Sequence, residues 1–335
     1  MLSRWISVGI NGGVMRVRHW LFPAFIVFFL VTAVSCGSLS GEEYPGRMQE
    51  FIEEISRYVK TVKNLNDFII IPQNGVELAF NDANPGGSIN LSYINAIDGM
   101  GVEELFYNGS RLPAGETNAR LNILKKLKDA GKLPPVMVSD YVSNDANIPA
   151  ASMLSTDEGF LAFPRGKNNY DYMYIPAANA PVLNSKDINA LTDAEHYLYL
   201  ISDEKFATKR AMIDAIKAAN YDVVLIDLFF KGVAFAPEDI AELQLKPNGK
   251  KRLVIAYISI GSAEKYRYYW KKGWKKGNPS WLKRKYEGYP DEFWVAFWDP
   301  EWQSIIYGYI DKILDAGFDG MYLDNVEAYY FLENR

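Results

Sequence analysis

Six carboxylates sit at or just beyond the ends of apolar runs: Asp140 in "VSDYV", Asp227 in "LIDLF", Glu264 in "IGSAE", Asp299 in "FWD", and Asp324 and Glu327 in "LDNVE". An apolar, β-branched or aromatic run ending in an acid reads as a buried strand that delivers a side chain to the sheet edge. Gln73 and Asn74, in "IIIPQN", place neutral polar groups at another such end. Carboxyl groups in pairs can cleave a glycosidic bond. One stays protonated and donates to the leaving oxygen, while the other attacks the anomeric carbon or activates water. Burial and mutual repulsion raise the pKa of the donor.

The rare residues leave little other chemistry. Cys36 is the single cysteine, and His19 and His196 are the two histidines. Internal disulfides and Cys/His zinc sites are excluded, and no metal is expected. A Ser-His-Asp triad would need His196, which reads as the residue before a strand. Neither GxGxxG nor GxxxxGK[ST] occurs, so no nucleotide cofactor is expected. The net charge of -5 gives no reason to expect nucleic acid as a partner.

The elements that must position these acids follow from periodicity. Residues 196–202, 222–230, 252–261, 293–299 and 320–326 read as strands, separated by helical patterns at 206–219, 237–245 and 300–316. The earlier half offers 68–74, 96–105 and 135–142, completing a set of eight, with "GFLAFP" (159–164) as an accessory segment. Alternation of this kind predicts parallel βα units and a (β/α)8 TIM barrel, whose functional end is the carboxyl edge of the strands. Residues 47–63 put Met48, Phe51, Ile52, Ile55, Val59 and Val62 on one face, a barrel-type helix with no strand before it. The strand at 320–326 has no helix after it.

Ahead of this lies a targeting segment. Arg16 and Arg18 precede an apolar run from Leu21 to Val34, shorter than the ~20 residues of a membrane span and suited to a signal peptide. "AVSC" resembles the lipobox of bacterial lipoproteins, which implies lipidation at Cys36, a membrane partner and a cell-envelope location. A plain secretory signal or an uncleaved anchor is the other reading. The expected organisation is therefore a signal at 1–35, a tether at 36–46 and a barrel at 47–335, acting as a monomer.

"YISIGSAEKYRYYW", "FWVAFWDPEW" and "GFDGMYLDNVEAYY" resemble glycoside hydrolase family 114. So do "RMQEFIEEISRYVK", "FIIIPQNG", "AIDGMGVEELFY" and "VMVSDYV", which in that family follow the "YLD" strand but here precede everything. The resemblance implies a circularly permuted barrel and a glycosidase acting on an extracellular polysaccharide, with an amino-sugar polymer as the candidate substrate. It implies Glu264 and Asp324 as the catalytic pair; Glu264, with its longer side chain on a loop edge, is the expected donor, and Asp227 orients the sugar or supports the pair. Gln73, Asn74, Asp140, Asp299 and Glu327 are substrate-binding candidates. Asp299 fits a helix N-cap equally well, and Asp319 in "GFDG" reads as structural. Trp270 and Trp298, within a cluster of six tryptophans at 270–302, are candidates for the wall of a sugar groove. Seven basic residues at 271–285 read as a solvated loop and fit a polycationic substrate poorly. The alternative function is an inactive, glycan-binding surface lipoprotein.

Overall fold

The computed structural model describes residues 43–176 and 184–333. Cys36, the signal segment and most of the tether lie outside them. Among the described residues no helix is long and apolar enough to cross a membrane.

Helix α1 (Glu43–Arg57) starts inside the segment expected to be a tether and runs into a wider turn, Tyr58–Val62. Its apolar face is the predicted one in large part. Met48, Phe51, Ile52, Ile55 and Val59 are all buried, whereas Val62 is exposed. Eight strands then run parallel to their neighbours. They are β1 (Ile69–Pro72), β2 (Met100–Arg111), β3 (Val136–Val142), β4 (Leu161–Ala162), β5 (Tyr197–Leu200), β6 (Val223–Asp227), β7 (Leu253–Ser259) and β8 (Gly320–Asp324). One sheet has the order β1-β8-β7-β6-β5, and a second runs β2-β3-β4. The two sheets are linked where Gln73, just past β1, bridges Gly101 of β2 in parallel. Asn74 also donates its backbone N–H to the Gly101 carbonyl at 2.7 Å. Beyond β4, the ring of Phe163 lies 5.5 Å from that of Tyr197 on β5.

The spatial order therefore follows the chain order within each sheet, with the first strand set beside the last. β1 pairs with β8, in the register Ile69↔Gly320 to Pro72↔Leu323. A short helix, α8 (Ala328–Glu333), does follow β8, contrary to expectation, and helix α1 packs against it. Between the strands lie α2 (Leu91–Ala96), α3 (Ala114–Asp129), α4 (Ile148–Asp157), α5 (Lys209–Lys217), α6 (Pro237–Leu243) and α7 (Pro300–Ala316). The strands are nearly continuous runs of Val, Ile, Leu and Tyr because sheets of this kind are covered on both faces. Close approach needs glycine at Gly101, where a Cβ would come within 1.9 Å of the Tyr322 hydroxyl.

Two strand assignments change. "FWVAFWD" is not a parallel strand. Its first part belongs to Tyr289–Val295, which pairs antiparallel with Ser262–Glu264 and with Leu282–Tyr286. Gly288, at φ 86°, makes the turn that folds this run back on its own neighbour. The accessory candidate "GFLAFP" supplies β4 instead, in parallel register with β3. The eight expected strands are thus eight, with one exchanged for another.

Candidate functional site

Parallel strands present their carboxyl ends on one edge, and that edge is acidic. Asp324 closes β8 and is only partly exposed. Its Oδ2 accepts the Tyr257 hydroxyl at 2.5 Å and its Oδ1 accepts the Asn325 N–H at 2.7 Å. Burial pushes its carboxyl up to about 7; the Glu103 charge adds to this, and the Tyr257 and Asn325 hydrogen bonds oppose it. Asn325, at φ 60°, turns its side-chain amide toward Glu292, 3.3 Å away, and toward Asp324 Oδ2 at 3.4 Å. Glu292 also accepts the Ser262 hydroxyl. Burial, then the Glu264 charge, carries Glu292 up to about 8.

Glu103 comes from β2. Its Oε1 accepts the Tyr172 hydroxyl at 2.5 Å, and its backbone N–H donates to Asn74 Oδ1 at 2.9 Å. It opens on a cavity of about 440 Å³ that also meets Glu77, Glu104, Glu116 and Glu327. Arg120 is the one cation lining that cavity among the described residues. Glu327 accepts from Asn74 Nδ2 at 3.1 Å, and burial followed by the Glu77 charge lifts it to about 7.

The expected residues separate into groups. Asp324, Asn74 and Glu327 stand at this mouth. Glu264 and Asp227 adjoin it but are held inward by Arg267. Arg267 donates from Nε to Glu264 Oε2 at 2.5 Å and pairs with Asp227 Oδ2 at 2.7 Å. The other Glu264 oxygen takes the Tyr266 hydroxyl. Glu264 is 6% exposed, so it lies below the rim with both oxygens occupied.

Five of the expected residues are engaged within the scaffold. Gln73 is buried and accepts the Tyr199 hydroxyl at 3.0 Å, inside the strands. Asp140 is buried and accepts the backbone N–H groups of Phe106 and Tyr107 at 3.0 and 3.3 Å, bracing β2. Asp299 is the N-cap of α7, accepting from Glu301 N at 2.9 Å. Trp298 packs edge-on against Tyr44 of α1, with centroids 5.0 Å apart. Trp270 packs on Trp274 and Phe293, in a cluster whose other members Trp281 and Trp302 are fully buried. Trp270, Trp274, Trp281 and Trp302 thus form a small packed cluster beneath the 262–295 excursion, with Trp270 and Trp274 half-buried. Asp319 is structural as expected, accepting from Val254 N at 2.8 Å and Gln244 Nε2 at 3.0 Å.

Glu103 and Glu292 complete the acidic mouth without having been singled out by sequence. Glu103 lies inside β2, at the point where its ladder with β3 breaks, so the strand-end rule does not single it out. Glu292 carries no such signal either, because "YPDEFW" places it inside an antiparallel strand. No group of His, Cys, Asp and Glu among the described residues is arranged to hold a metal ion.

A parallel α/β architecture with a carboxylate mouth at its carboxyl edge defines the class of protein. More particularly, a family model described as glycoside-hydrolase family GH114 matches residues 190–335. An uncharacterized protein of Deinococcus radiodurans is 40% identical over 123 residues, covering 37% of this chain and 39% of the relative. One of Methanocaldococcus jannaschii is 36% identical over 165 residues, 46% of either chain. The matched region thus spans less than half the length of these relatives. The crystal structure of Aspergillus fumigatus Ega3 in complex with galactosamine aligns at 27% identity and a TM-score of 0.28, covering 47% of this chain and 50% of that one.

Proposed function

We propose that this protein is a glycoside hydrolase that cuts a polysaccharide, with Asp324 as nucleophile or base and Glu103 as general acid. The observation that carries this reading is that β2 and β8, which bear Glu103 and Asp324, flank the end of β1: Gln73 bridges Gly101 of β2 and donates its N–H to the Leu323 carbonyl of β8 at 2.9 Å, and Asn74 takes the Glu103 N–H. The family match over residues 190–335, which include Asp324, supports the reaction type. Hydrogen bonds assign the roles. Asp324 accepts from two donors, which favour its anion. Glu103 has one oxygen bonded to Tyr172 and faces the cavity. Glu264, although the sequence favours it as donor, has both oxygens engaged. Its role is to hold Arg267 and Tyr266 against the mouth.

The substrate is a cationic glycan, a polymer of free amino sugars. Five carboxylates, Glu103 among them, line the cavity against one guanidinium, and such walls concentrate a polycation. The lysines of the excursion do not contradict this, because Lys271, Lys272, Lys275, Lys276 and Lys285 are exposed and none lines that cavity.

The scaffold in this proposal is a closed (β/α)8 ring with its seam moved. The β1–β8 register and the packing of α1 on α8 support it, together with the motif order. The cell-envelope location and the lipid at Cys36 remain part of the proposal, and mass spectrometry of the mature N-terminus tests them.

The reaction is tested with the soluble domain and a galactosamine polymer, following new reducing ends. Asp324→Asn is expected to abolish release. Glu103→Gln is expected to slow it by about 10²–10⁴-fold. Binding without any release by the wild type would replace the hydrolase with a glycan-binding protein.

A further inference from the structure

Strand β2 is not regular where it delivers Glu103. Its pairing with β3 jumps from Glu103↔Ser139 to Asn108↔Tyr141, so the strand bulges between those points. Glu104 sits there at φ 52°, a left-handed conformation uncommon outside glycine. Bulges next to active sites commonly re-aim a side chain, and the backbone groups they free must find other partners.

Here each partner is a side chain from a different element. Asn74, past β1, takes the Glu103 N–H at 2.9 Å. Asp140, from β3, takes the Phe106 and Tyr107 N–H groups. Arg165 pairs with the Glu104 carboxylate at 3.0 Å. The two carbonyls at the apex go to one residue. Arg120 of α3 donates from Nη1 to the Glu103 carbonyl at 2.6 Å and from Nη2 to the Glu104 carbonyl. A guanidinium is a planar fork with fixed donor directions, so one side chain sets the orientation of both peptide groups.

We propose that Arg120 is a positioning residue for Glu103: its fork on the two bulge carbonyls holds the Glu103 carboxyl in line with the leaving oxygen. This rests on the reading of Glu103 as general acid. Arg120 lines the cavity without being the proton donor, and its effect passes through the backbone it holds. A displacement of the acid by about 1 Å is enough to cost on the order of 10² in rate.

The experiment compares two substrates across wild type, Arg120→Met, Arg120→Lys and Glu103→Gln. One is the galactosamine polymer, whose leaving group needs a proton. The other is a 2,4-dinitrophenyl glycoside of a galactosamine oligomer, whose leaving group does not. Thermal melts by circular dichroism establish that each variant is folded. Arg120→Met is expected to lose about 10²-fold in kcat on the polymer. It should lose less than about threefold on the dinitrophenyl substrate, with KM little changed on either, because only the acid step is impaired. Arg120→Lys, with a single donor head, should fall between Arg120→Met and wild type. Equal losses on both substrates, or a loss confined to KM, would overturn the positioning role. If Glu103→Gln itself shows no dependence on the leaving group, the assignment of the acid fails. If Glu103→Gln shows it and neither Arg120 variant does, this inference alone fails.

Discussion

Asp324 sets the expected pH response. In the free protein its carboxyl titrates at about 7, and a nucleophile or base must be ionised. kcat/KM is therefore expected to fall as pH drops below about 7, and a pH profile on the polymer checks it. The carboxyls also oppose folding. Because Asp324 and Glu292 titrate near 7 and 8 against ordinary values of 3.8 and 4.5, the folded state binds more protons than the unfolded one across that window. Their contribution to stability therefore declines as pH rises from about 4 to about 8. Asp324→Asn is expected to raise stability by about 0.5–2 kcal/mol at pH 8 while removing activity. Denaturant melts at pH 5 and pH 8 measure this, and an equal gain at both would show that titration is not the cause. The position of Asp324 was legible because an acid at the end of a buried run is an economical signal. Glu103 escapes that rule because it lies inside β2, at a break in the ladder that only the pairing with β3 reveals. Glu292 was not legible, since its burial depends on Ser262 and Asn325, which meet it only in three dimensions.

At the level of elements, Asp299 offers a clean separation of structure from chemistry. "DPEW" has an N-cap acid, proline at the first turn and an acidic Glu301 beyond it, all features of a helix start. Asp299→Ala is expected to cost about 0.5–2 kcal/mol of stability. It should leave kcat on the polymer unchanged, which paired melting and rate measurements will show. A loss of activity larger than the loss of stability would return Asp299 to the substrate site. The strand lengths explain which elements were legible. β6, β7 and β8 lie in long apolar runs flanked by helical patterns, and all three appear where periodicity puts them. Tyr289–Val295 and Leu161–Ala162 exchange roles because composition does not distinguish a parallel strand from an antiparallel one. The distinction is made by the turn at Gly288 and by Trp294, which stacks between Tyr286 and Phe331 at 4.3 and 4.6 Å. Gly261 allows the excursion to leave β7 tightly: a Cβ there would lie 1.9 Å from the Asn325 carbonyl oxygen. Substitution by alanine should therefore push Asn325 off Glu292.

For the whole molecule the question is whether residues before and after the long central stretch fold as one body. The registers say how they would. β1 lies against β8, Tyr58 donates to Asp311 of α7 at 2.8 Å, and the Tyr329 hydroxyl of α8 bonds Glu77 at 2.5 Å. Each contact ties a residue near the start of the described chain to one near its end. Six of the eight tryptophans lie between 270 and 302, so intrinsic fluorescence reports mainly on the later part. Ile70, on β1, is fully buried in the earlier part. Replacing it with alanine should destabilise by about 2–5 kcal/mol. If the two parts form one cooperative unit, the fluorescence transition in urea must move to lower denaturant by that amount, although no tryptophan has changed. Hydrogen exchange at β2 and β3 should then report the same opening free energy as at β6 and β7. Chains of this size often unfold in stages, so coincidence is a demanding outcome. An unchanged fluorescence midpoint, with only the early strands exchanging faster, would mean that the β1–β8 ladder does not couple the two parts. The closed ring with a displaced seam would then be the wrong description of the scaffold.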